Sequence, residues 1–399
     1  RQRAAIARCL VTEPGLLGDH HLITRLTRNI GEDQQSYVTF SAEVRLDFAA
    51  TDPDGNPVWD PDDVLLDLGC GTGAIGAAAG VLAPQGRAVL VDCHTAAVSC
   101  AQRTVEANHL PDAEARLGDG VLGLEPSSFD LVLSHLPRGR AVQEALVHGA
   151  AWTLRPGGRF YFVAHRDVGI KSAVDYAREL FGRCGVIKRK KGYHVAMTIK
   201  PRNLTVSPLD EGYVGRSVVV DDVETRLVSK PGVFAWDRLD EGARRLIETM
   251  AIDRADTVLD LGCGTGLVGV AAARRASQGQ VVLLDADVRA VESSRRTLVE
   301  NGIANAEVLL SDCASAVRDH RFDCVFTNPP FHQGAGVDYD VAHQFVRDAA
   351  QVLKPGGRLY LVANRFLAYD DLIRDVFGAV DVAYADNGYH VLVTRRLHP

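Results

Sequence analysis

No apolar run in the sequence approaches the about 18 residues that a membrane span requires. The longest candidate, Ala74–Ala83, is short and dominated by Ala and Gly. The N-terminal Arg1-Gln2-Arg3 has no initiator Met before it and no signal-type apolar segment after it, the pattern of a trimmed chain. A cytoplasmic location and no contact with a membrane are therefore expected. The eight cysteines form no CxxC pair and no Cys/His spacing of the kind that holds zinc. That usage argues for reduced thiols rather than a disulfide framework, and no metal is expected. Cys70 and Cys263 sit in Gly-rich turns, where a small hydrophobe suffices. An excess of basic residues is also missing. The net charge of −7 speaks against indiscriminate polyanion binding. The first 200 residues carry 22 Lys/Arg against 23 Asp/Glu, and the remainder 22 against 28. One dense basic run stands out, Arg183 with Lys188-Arg189-Lys190-Lys191. Its plain reading is a solvated surface loop, and its sharper reading a phosphate-contacting patch.

What the sequence does contain is written twice. Asp67-Leu-Gly-Cys-Gly-Thr-Gly73 recurs as Asp260-Leu-Gly-Cys-Gly-Thr-Gly266, an offset of 193. The same offset carries Asp92 to Asp285, Asn108 to Asn301, Asp119 to Asp312 and Phe129-Asp130 to Phe322-Asp323. Leu154-Arg-Pro-Gly-Gly-Arg159 then matches Leu353-Lys-Pro-Gly-Gly-Arg358 at offset 199, so the second copy holds six extra residues between these blocks. Chance does not keep a register over blocks so far apart, and the chain is a duplicated domain. The copies are assigned to 1–200 and 201–399, the second beginning with an insert at 201–250. In that insert Val218–Val228 predicts a small hairpin and Leu239–Met250 an amphipathic helix. Residues 1–30 resist assignment, because Pro14-Gly15 breaks them.

Each copy alternates strands and helices. In the second, strands are predicted at Thr257–Leu261, Gln280–Leu284, Glu307–Leu310, Cys324–Thr327 and Arg358–Ala363. Helices are predicted at Leu267–Arg275, Val288–Glu300, Asp340–Leu353 and Asp370–Phe377, with a Lys-Pro-Gly-Gly turn before the fifth strand. Two last strands flank Asp386-Asn387-Gly388, a hairpin-type turn. Continuous apolar strands alternating with helices imply a doubly wound α/β fold, mostly parallel with a terminal antiparallel hairpin. Such sheets bind ligands beyond the carboxyl ends of the strands, at the switch point.

The turn Asp260-x-Gly262-x-Gly264-x-Gly266 lets backbone approach a ligand closely, since no Cβ intrudes. The helix that follows offers unpaired N–H groups. Asp285, at the end of the next strand, can accept both hydrogen bonds of a ribose diol, and Asp312 can accept from an adenine amino group. These features describe an adenosine ligand. Gly264-x-Gly-x-x-Gly269 with Asp285 also satisfies the dinucleotide fingerprint, so the turn by itself allows NAD.

Asn328-Pro329-Pro330-Phe331 follows the fourth strand, at the same strand-end crevice. The Asn side-chain oxygen and the Pro329 carbonyl can each accept one N–H of an amine attached to a flat π-system. That draws the nitrogen toward tetrahedral geometry and aims its lone pair at a methyl donor. The prolines keep the backbone extended, and Pro330 lacks a competing N–H. Phe331 offers a stacking face, worth about 1–3 kcal/mol per base. Chemistry of this kind is mostly positioning and needs neither a metal nor a strong base. Asn-Pro-Pro could be a plain turn, but its place after an Asp-x-Gly-x-Gly-x-Gly strand makes that reading poor. An NAD oxidoreductase leaves Asn328–Phe331 unexplained.

The stretch from Arg321 through Asn328-Pro-Pro-Phe-His-Gln-Gly to Gly356-Gly-Arg-Leu-Tyr-Leu-Val-Ala-Asn364 resembles the ribosomal RNA guanine-N2 methyltransferases, RsmC-like for the small subunit and RlmG-like for the large. Lys230-Pro-Gly-Val-Phe234 with Arg238-Leu-Asp240 resembles the segment preceding that family's catalytic domain. The resemblance implies two tandem Rossmann-like class I methyltransferase domains, with chemistry in the second. It implies methyl transfer from S-adenosylmethionine to the exocyclic N2 amine of a guanine in ribosomal RNA, the small-subunit (16S) RNA favoured. It puts Asp260, Gly262, Gly264, Gly266, Asp285 and Asp312 on the cofactor, and Asn328, Pro329 and Phe331 on the base, with Pro330 beside it. His332 and Asn364 lie nearby without an assigned role. A monomer is expected, with ribosomal RNA or a ribosomal subunit as partner.

In the first copy His135-Leu136-Pro137-Arg138 replaces Asn-Pro-Pro-Phe. The amine acceptors and the ring are gone, so no methyl transfer is expected there. Its Gly-rich turn and Asp92 persist, which leaves cofactor binding open. Its expected role is to grip RNA, through Arg138, Arg140, Arg166, Lys171, Lys188, Arg189, Lys190 and Lys191. Other acceptors stay open at this point: an adenine N6 amine, a protein glutamine amide, or no reaction at all in an RNA-binding assembly factor.

Overall fold

Runs such as Val258-Leu-Asp-Leu261 and Val281-Val-Leu-Leu284 have no polar face, so their strands must be covered on both sides. The structure, a computed structural model, describes residues 21–29, 37–45, 60–208, 210–330 and 340–397. It forms two units, one running to Glu211 and the other starting at Gly212.

In the first unit β1 (His21–Asn29) and β2 (Tyr37–Arg45) make an antiparallel pair. There follow β3 (Val64–Leu68), α1 (Ala74–Leu82), β4 (Arg87–Asp92), α2 (Thr95–Ala107), β5 (Ala113–Leu117) and β6 (Phe129–His135). The unit continues with α3 (Arg140–Thr153), β7 (Leu154–His165), α4 (Ile170–Phe181), β8 (Gly185–Lys190) and β9 (Tyr193–Ile199). The second unit opens with the hairpin β10 (Val214–Val220) and β11 (Val223–Ser229), then α5 (Glu241–Thr249). It repeats the pattern as β12 (Thr257–Leu261), α6 (Leu267–Arg275), β13 (Gln280–Asp285), α7 (Val288–Glu300), β14 (Ala306–Leu310) and β15 (Phe322–Thr327). Last come α8 (Asp340–Val352), β16 (Leu353–Asn364), α9 (Tyr369–Phe377), β17 (Asp381–Ala385) and β18 (Tyr389–Arg395).

The two seven-stranded sheets have one topology, β5-β4-β3-β6-β7-β9-β8 and β14-β13-β12-β15-β16-β18-β17. In the second, β12 through β16 pair in parallel and β18 runs antiparallel to both β16 and β17. Strand residues alternate between two cores, as side chains of period two must. Val258, Val281, Leu283, Phe326 and Tyr360 join the core that Leu246 and Ile247 of α5 and Val270 of α6 cover. Leu259, Val282, Leu284, Val325 and Leu361 join the one covered by Val346 of α8 and Ile373 of α9. The doubly wound expectation therefore holds in both units.

Two details differ from the sequence-based expectation. The break between units falls beyond residue 200, because Leu204 and Val206 pack on the first unit's core and His148 Nε2 bonds the Ser207 carbonyl. The hairpin and α5 open the second unit, as expected, and give its core Val218, Val220, Leu227, Leu246 and Ile247. Lys354–Gly357 is not a separate turn but an irregularity inside β16, where the partner register jumps from Phe322↔Leu353 to Cys324↔Arg358. The Asp386-Asn387-Gly388 turn is as expected: Asp386 Oδ1 accepts the N–H groups of Gly388 and Tyr389 at 2.7 Å. Among the described residues no helix is long and apolar enough to cross a membrane.

Candidate active site

Strand order reverses at β12, and the crevice at its carboxyl end is framed by its two neighbours. Leu284, Leu261 and Thr327 are register partners, so Asp285, Gly262 and Asn328 leave the sheet abreast. With strands about 4.8 Å apart, Asp285 and Asn328 emerge roughly 10 Å from one another across the Gly-rich turn. Thr327 Oγ donates to the Leu261 carbonyl at 2.8 Å, which ties the two central strand ends together where the site begins.

The turn needs its glycines. Gly262, Gly264 and Gly266 have φ of 82°, 54° and 82°, the left-handed region. Among the described residues a Cβ at Gly264 would meet nothing within 4 Å, so open space faces the backbone there. The opposite side is filled by Phe345 of α8, 3.1 Å from a Cβ built on Gly262. Gly264 N–H donates to Asp285 Oδ2 and Asp287 N–H to Oδ1, both at 3.0 Å. These bonds hold the Asp285 carboxylate at the strand end beside the glycine turn. Ser311 N–H donates to the Asp285 carbonyl at 2.8 Å and carries Asp312, which is exposed, to the next place along the rim. The rim order is thus Asp312, Asp285, glycine turn, Asn328. An adenosine ligand with its reactive group at the far end fits that sequence of acceptor, diol acceptor, close backbone and amine acceptor.

Asp260 lies deeper, 2% exposed, beneath the turn. Burial pushes its carboxyl up to about 7; the Gly269 N–H opposes the rise and the Asp285 charge adds to it. Its Oδ2 has no hydrogen-bond donor among the described residues. An unfolded Asp titrates near about 3.9. Between roughly 4 and 7 the folded chain therefore binds more protons than the unfolded one, and stability falls as pH rises. Asp260→Asn keeps an acceptor for Gly269 and removes the charge. Its urea midpoint is expected to rise relative to the parent between about pH 5 and 8; a pH-independent difference would contradict the buried, titrating carboxyl.

Asn328 is half-buried, and its Nδ2 donates to Asp240 Oδ2 at 2.9 Å. Asp240 is the N-cap of α5, its Oδ2 also accepting the Ala243 N–H at 2.7 Å. A carboxylate only accepts, so this bond fixes which end of the amide faces it and leaves Oδ1 as the presented acceptor. Burial raises the Asp240 pKa, and the Ala243 N–H, Arg238 and Asn328 oppose that rise. Gly242 permits the approach: a Cβ there would stand 3.0 Å from Asp240 Oδ2 and 3.2 Å from Asn328 Nδ2. Pro329 is buried and Pro330 exposed. Phe331, His332 and Gln333 lie outside the described residues. Sequence reasoning assigned no role to Asp240, Gly242 or Phe345. An Asp just before an amphipathic helix signals an N-cap, but not its second partner 88 residues away.

In the first unit Ser134 Oγ bonds the Leu68 carbonyl at 2.7 Å, the counterpart of Thr327, and His135 takes the place of Asn328. Arg138 is exposed, and Arg140 pairs with Glu144 at 2.7 Å. The basic run is not a loop. Lys188, Arg189 and Lys190 lie on the edge strand β8, and Lys191 turns the chain at φ 50°. Lysines on an edge strand also deter unwanted strand pairing. Lys190 pairs with Tyr193, Tyr193 with His165, and Val163 with His135, so Lys190, Lys191, Arg166 and Arg138 share the carboxyl-end rim. Among the described residues no group of three His, Cys, Asp or Glu could hold a metal ion.

The sequence pattern of the methyltransferase small domain matches residues 58–197 and again 224–393. The ribosomal RNA small subunit methyltransferase C of Pseudomonas syringae is 33% identical over 288 residues, 71% of this chain and 84% of that protein. That of Pseudomonas aeruginosa is 34% identical over 266 residues, 65% of this chain and 77% of that protein. A solved structure, the T. thermophilus 16S rRNA N2 G1207 methyltransferase (RsmC) in complex with AdoMet and guanosine, superposes with a TM-score of 0.73 at 31% identity, covering 84% of this chain and 88% of that one. With the glycine cradle, the acidic rim and the anchored Asn328 in place, the chain belongs to the methyltransferase small domain family, among the small-subunit ribosomal RNA methyltransferases of the RsmC type.

Proposed function

We propose that this chain transfers a methyl group from S-adenosylmethionine to the exocyclic N2 amine of a guanine in 16S ribosomal RNA, in the cytoplasm, with its second unit catalytic. The observation that carries this is Asn328, whose amide nitrogen is tied to Asp240 so that its oxygen is left to accept at the strand end beside the glycine turn. The relatives' names and the guanosine in the T. thermophilus structure support guanine over adenine or glutamine.

The sulfonium, when bound, supplies an electrophilic methyl group. The chain's residues do the rest. Asp312 and Asp285 accept from the adenine amino group and the ribose diol, and Gly262, Gly264 and Gly266 let the backbone close on the ligand. Asp260 braces the turn from below. Asn328 Oδ1 and the Pro329 carbonyl accept the two N–H groups of the guanine amine, while Pro330 and Phe331 bound the base. Holding nucleophile and methyl in line converts a bimolecular encounter into a positioned one, the main source of rate here. The methylated nitrogen then loses its surplus proton to water, so no strong base is required. A guanine within a duplex must be extruded to reach Asn328.

The first unit grips RNA. Its rim from Arg138 to Lys191 crosses three strand spacings, about 14 Å, and its Lys and Arg side chains neutralise phosphates without reading sequence. Replacing Lys188, Arg189, Lys190 and Lys191 by Gln is expected to weaken RNA binding at every sequence tested. It should also reduce the slope of log K against log salt by about 0.7–0.9 for each phosphate no longer neutralised. An unchanged salt slope assigns the run to edge protection instead.

The function itself is tested with labelled S-adenosylmethionine offered to stripped 16S RNA and to isolated subunits, followed by nucleoside analysis. Label is expected in N2-methylguanosine. Label in protein alone, or in N6-methyladenosine, would reject the reading.

A further inference from the structure

The first unit lacks the amine clamp yet keeps the backbone bonding of the glycine turn. Gly69, Gly71 and Gly73 have φ of 77°, 57° and 77°, matching the 82°, 54° and 82° of the second unit. Gly71 N–H donates to Asp92 Oδ2 at 2.8 Å and His94 N–H to Oδ1 at 3.0 Å, as Gly264 and Asp287 do to Asp285. Gly118 N–H donates to the Asp92 carbonyl at 3.0 Å, as Ser311 does to that of Asp285. Asp119 then stands where Asp312 stands. Each is followed by a left-handed residue, Gly120 at φ 60° and Cys313 at φ 49°.

Among the described residues, the space beside Gly69 and Gly120 is open. A Cβ at Gly120 would meet nothing within 4 Å, and one at Gly69 only the His135 carbonyl at 4.0 Å. A tight strand–helix turn accounts for the glycines and, through its backbone bonds, for Asp92. It does not account for a second carboxylate, Asp119, carried to the next place on the same rim. The family pattern also spans this unit, over residues 58–197.

We infer that the first unit binds an S-adenosyl nucleoside, S-adenosylmethionine or its demethylated product S-adenosylhomocysteine, without transferring a methyl group, so that the chain holds two such ligands. Asp92 takes the ribose diol and Asp119 the adenine amino group. With His135-Leu136-Pro137-Arg138 in place of the acceptors, no amine is held there for reaction. The ligand would serve as a fixed part of the RNA-gripping unit.

Calorimetric titration of the full chain, separately with S-adenosylmethionine and with S-adenosylhomocysteine, tests this. Two equivalents are expected to bind, and the comparison shows which of the two the first unit prefers. Asp92→Ala and Asp285→Ala should each leave one equivalent, and the double variant none. Asp119→Ala, a half-buried rim position, should weaken one of the two sites by about 10–100-fold and decides the matter if Asp92→Ala fails to fold. One equivalent in the parent chain, lost with Asp285→Ala, would overturn the inference and leave the catalytic site standing. Two equivalents indifferent to both Asp92→Ala and Asp119→Ala would overturn it as well, as would NAD binding at the first unit in preference to either S-adenosyl ligand.

Discussion

Asn328→Ala is expected to lower kcat/KM for guanine methylation by roughly 10²–10³-fold, the effect of removing one preorganised polar group from a transition state. The lone pair of an exocyclic amine is conjugated with the purine, and two acceptors on its N–H groups are what turn it toward the methyl. With Asn328 gone, only the Pro329 carbonyl remains. Cofactor affinity should be preserved, because Asp285 and Asp312 leave the sheet on the other side of the glycine turn. The measurement is single-turnover methylation beside calorimetric binding of S-adenosylhomocysteine. A loss of only a few-fold in rate would show that Asn328 is not the acceptor. Truncation also leaves the partly buried Asp240 one donor short, so a thermal melt must accompany the kinetics.

Asp240→Ala is expected to produce the second-largest effect, a fall in kcat of about tenfold or more with little change in cofactor affinity, through a residue that touches no reacting atom. Its carboxylate is shared between the Asn328 amide and the Ala243 N–H of α5. Removing it frees the amide to rotate and uncaps the helix, which costs about 1 kcal/mol of stability. Asp240→Asn retains an oxygen for both donors and should recover most of the rate. A lost cap alone would cost stability in the Ala variant without slowing the folded enzyme, so the two roles separate in the rate of folded protein. There is also a pH signature. Burial raises the Asp240 pKa above the ordinary carboxylate range. As pH falls through that raised value the carboxylate is protonated and can donate instead of accept, so the anchor on Asn328 weakens and activity drops on the acid side. In Asp240→Asn that acid limb should flatten. An identical acid limb in parent and variant would assign it to another group.

The doubly wound architecture was legible because its determinants are local. Five largely apolar stretches, four of them followed by a helix-period segment, leave few ways to cover a sheet. Thr257–Leu261, Leu267–Arg275 and Val288–Glu300 formed over the expected residues. The glycine turn was legible for the same reason: left-handed φ at Gly262, Gly264 and Gly266 is a property of three residues in a row. The break between units was less so. Leu204 and Val206 look like linker in the sequence, and their place against the first core depends on a surface that exists only after folding. The basic run read as a loop because Lys188-Arg189-Lys190 has no apolar alternation of its own; its strand is imposed by pairing with β9.

The sequence by itself determined that this protein is one fold used twice, that an Asp-x-Gly-x-Gly-x-Gly turn stands in each copy, and that one copy alone carries Asn-Pro-Pro-Phe. Those are short-range facts, written in spacings of a few residues. Tertiary structure decided which end of the Asn328 amide is held, because the group that holds it is a helix cap 88 residues upstream. It also decided that Lys190, Lys191, Arg166 and Arg138 share one rim, and that Asp260 is buried while Asp312 is exposed. Residues far apart in the chain acquire a common orientation only when packing removes the freedom each has alone, and no pattern within either segment encodes the other.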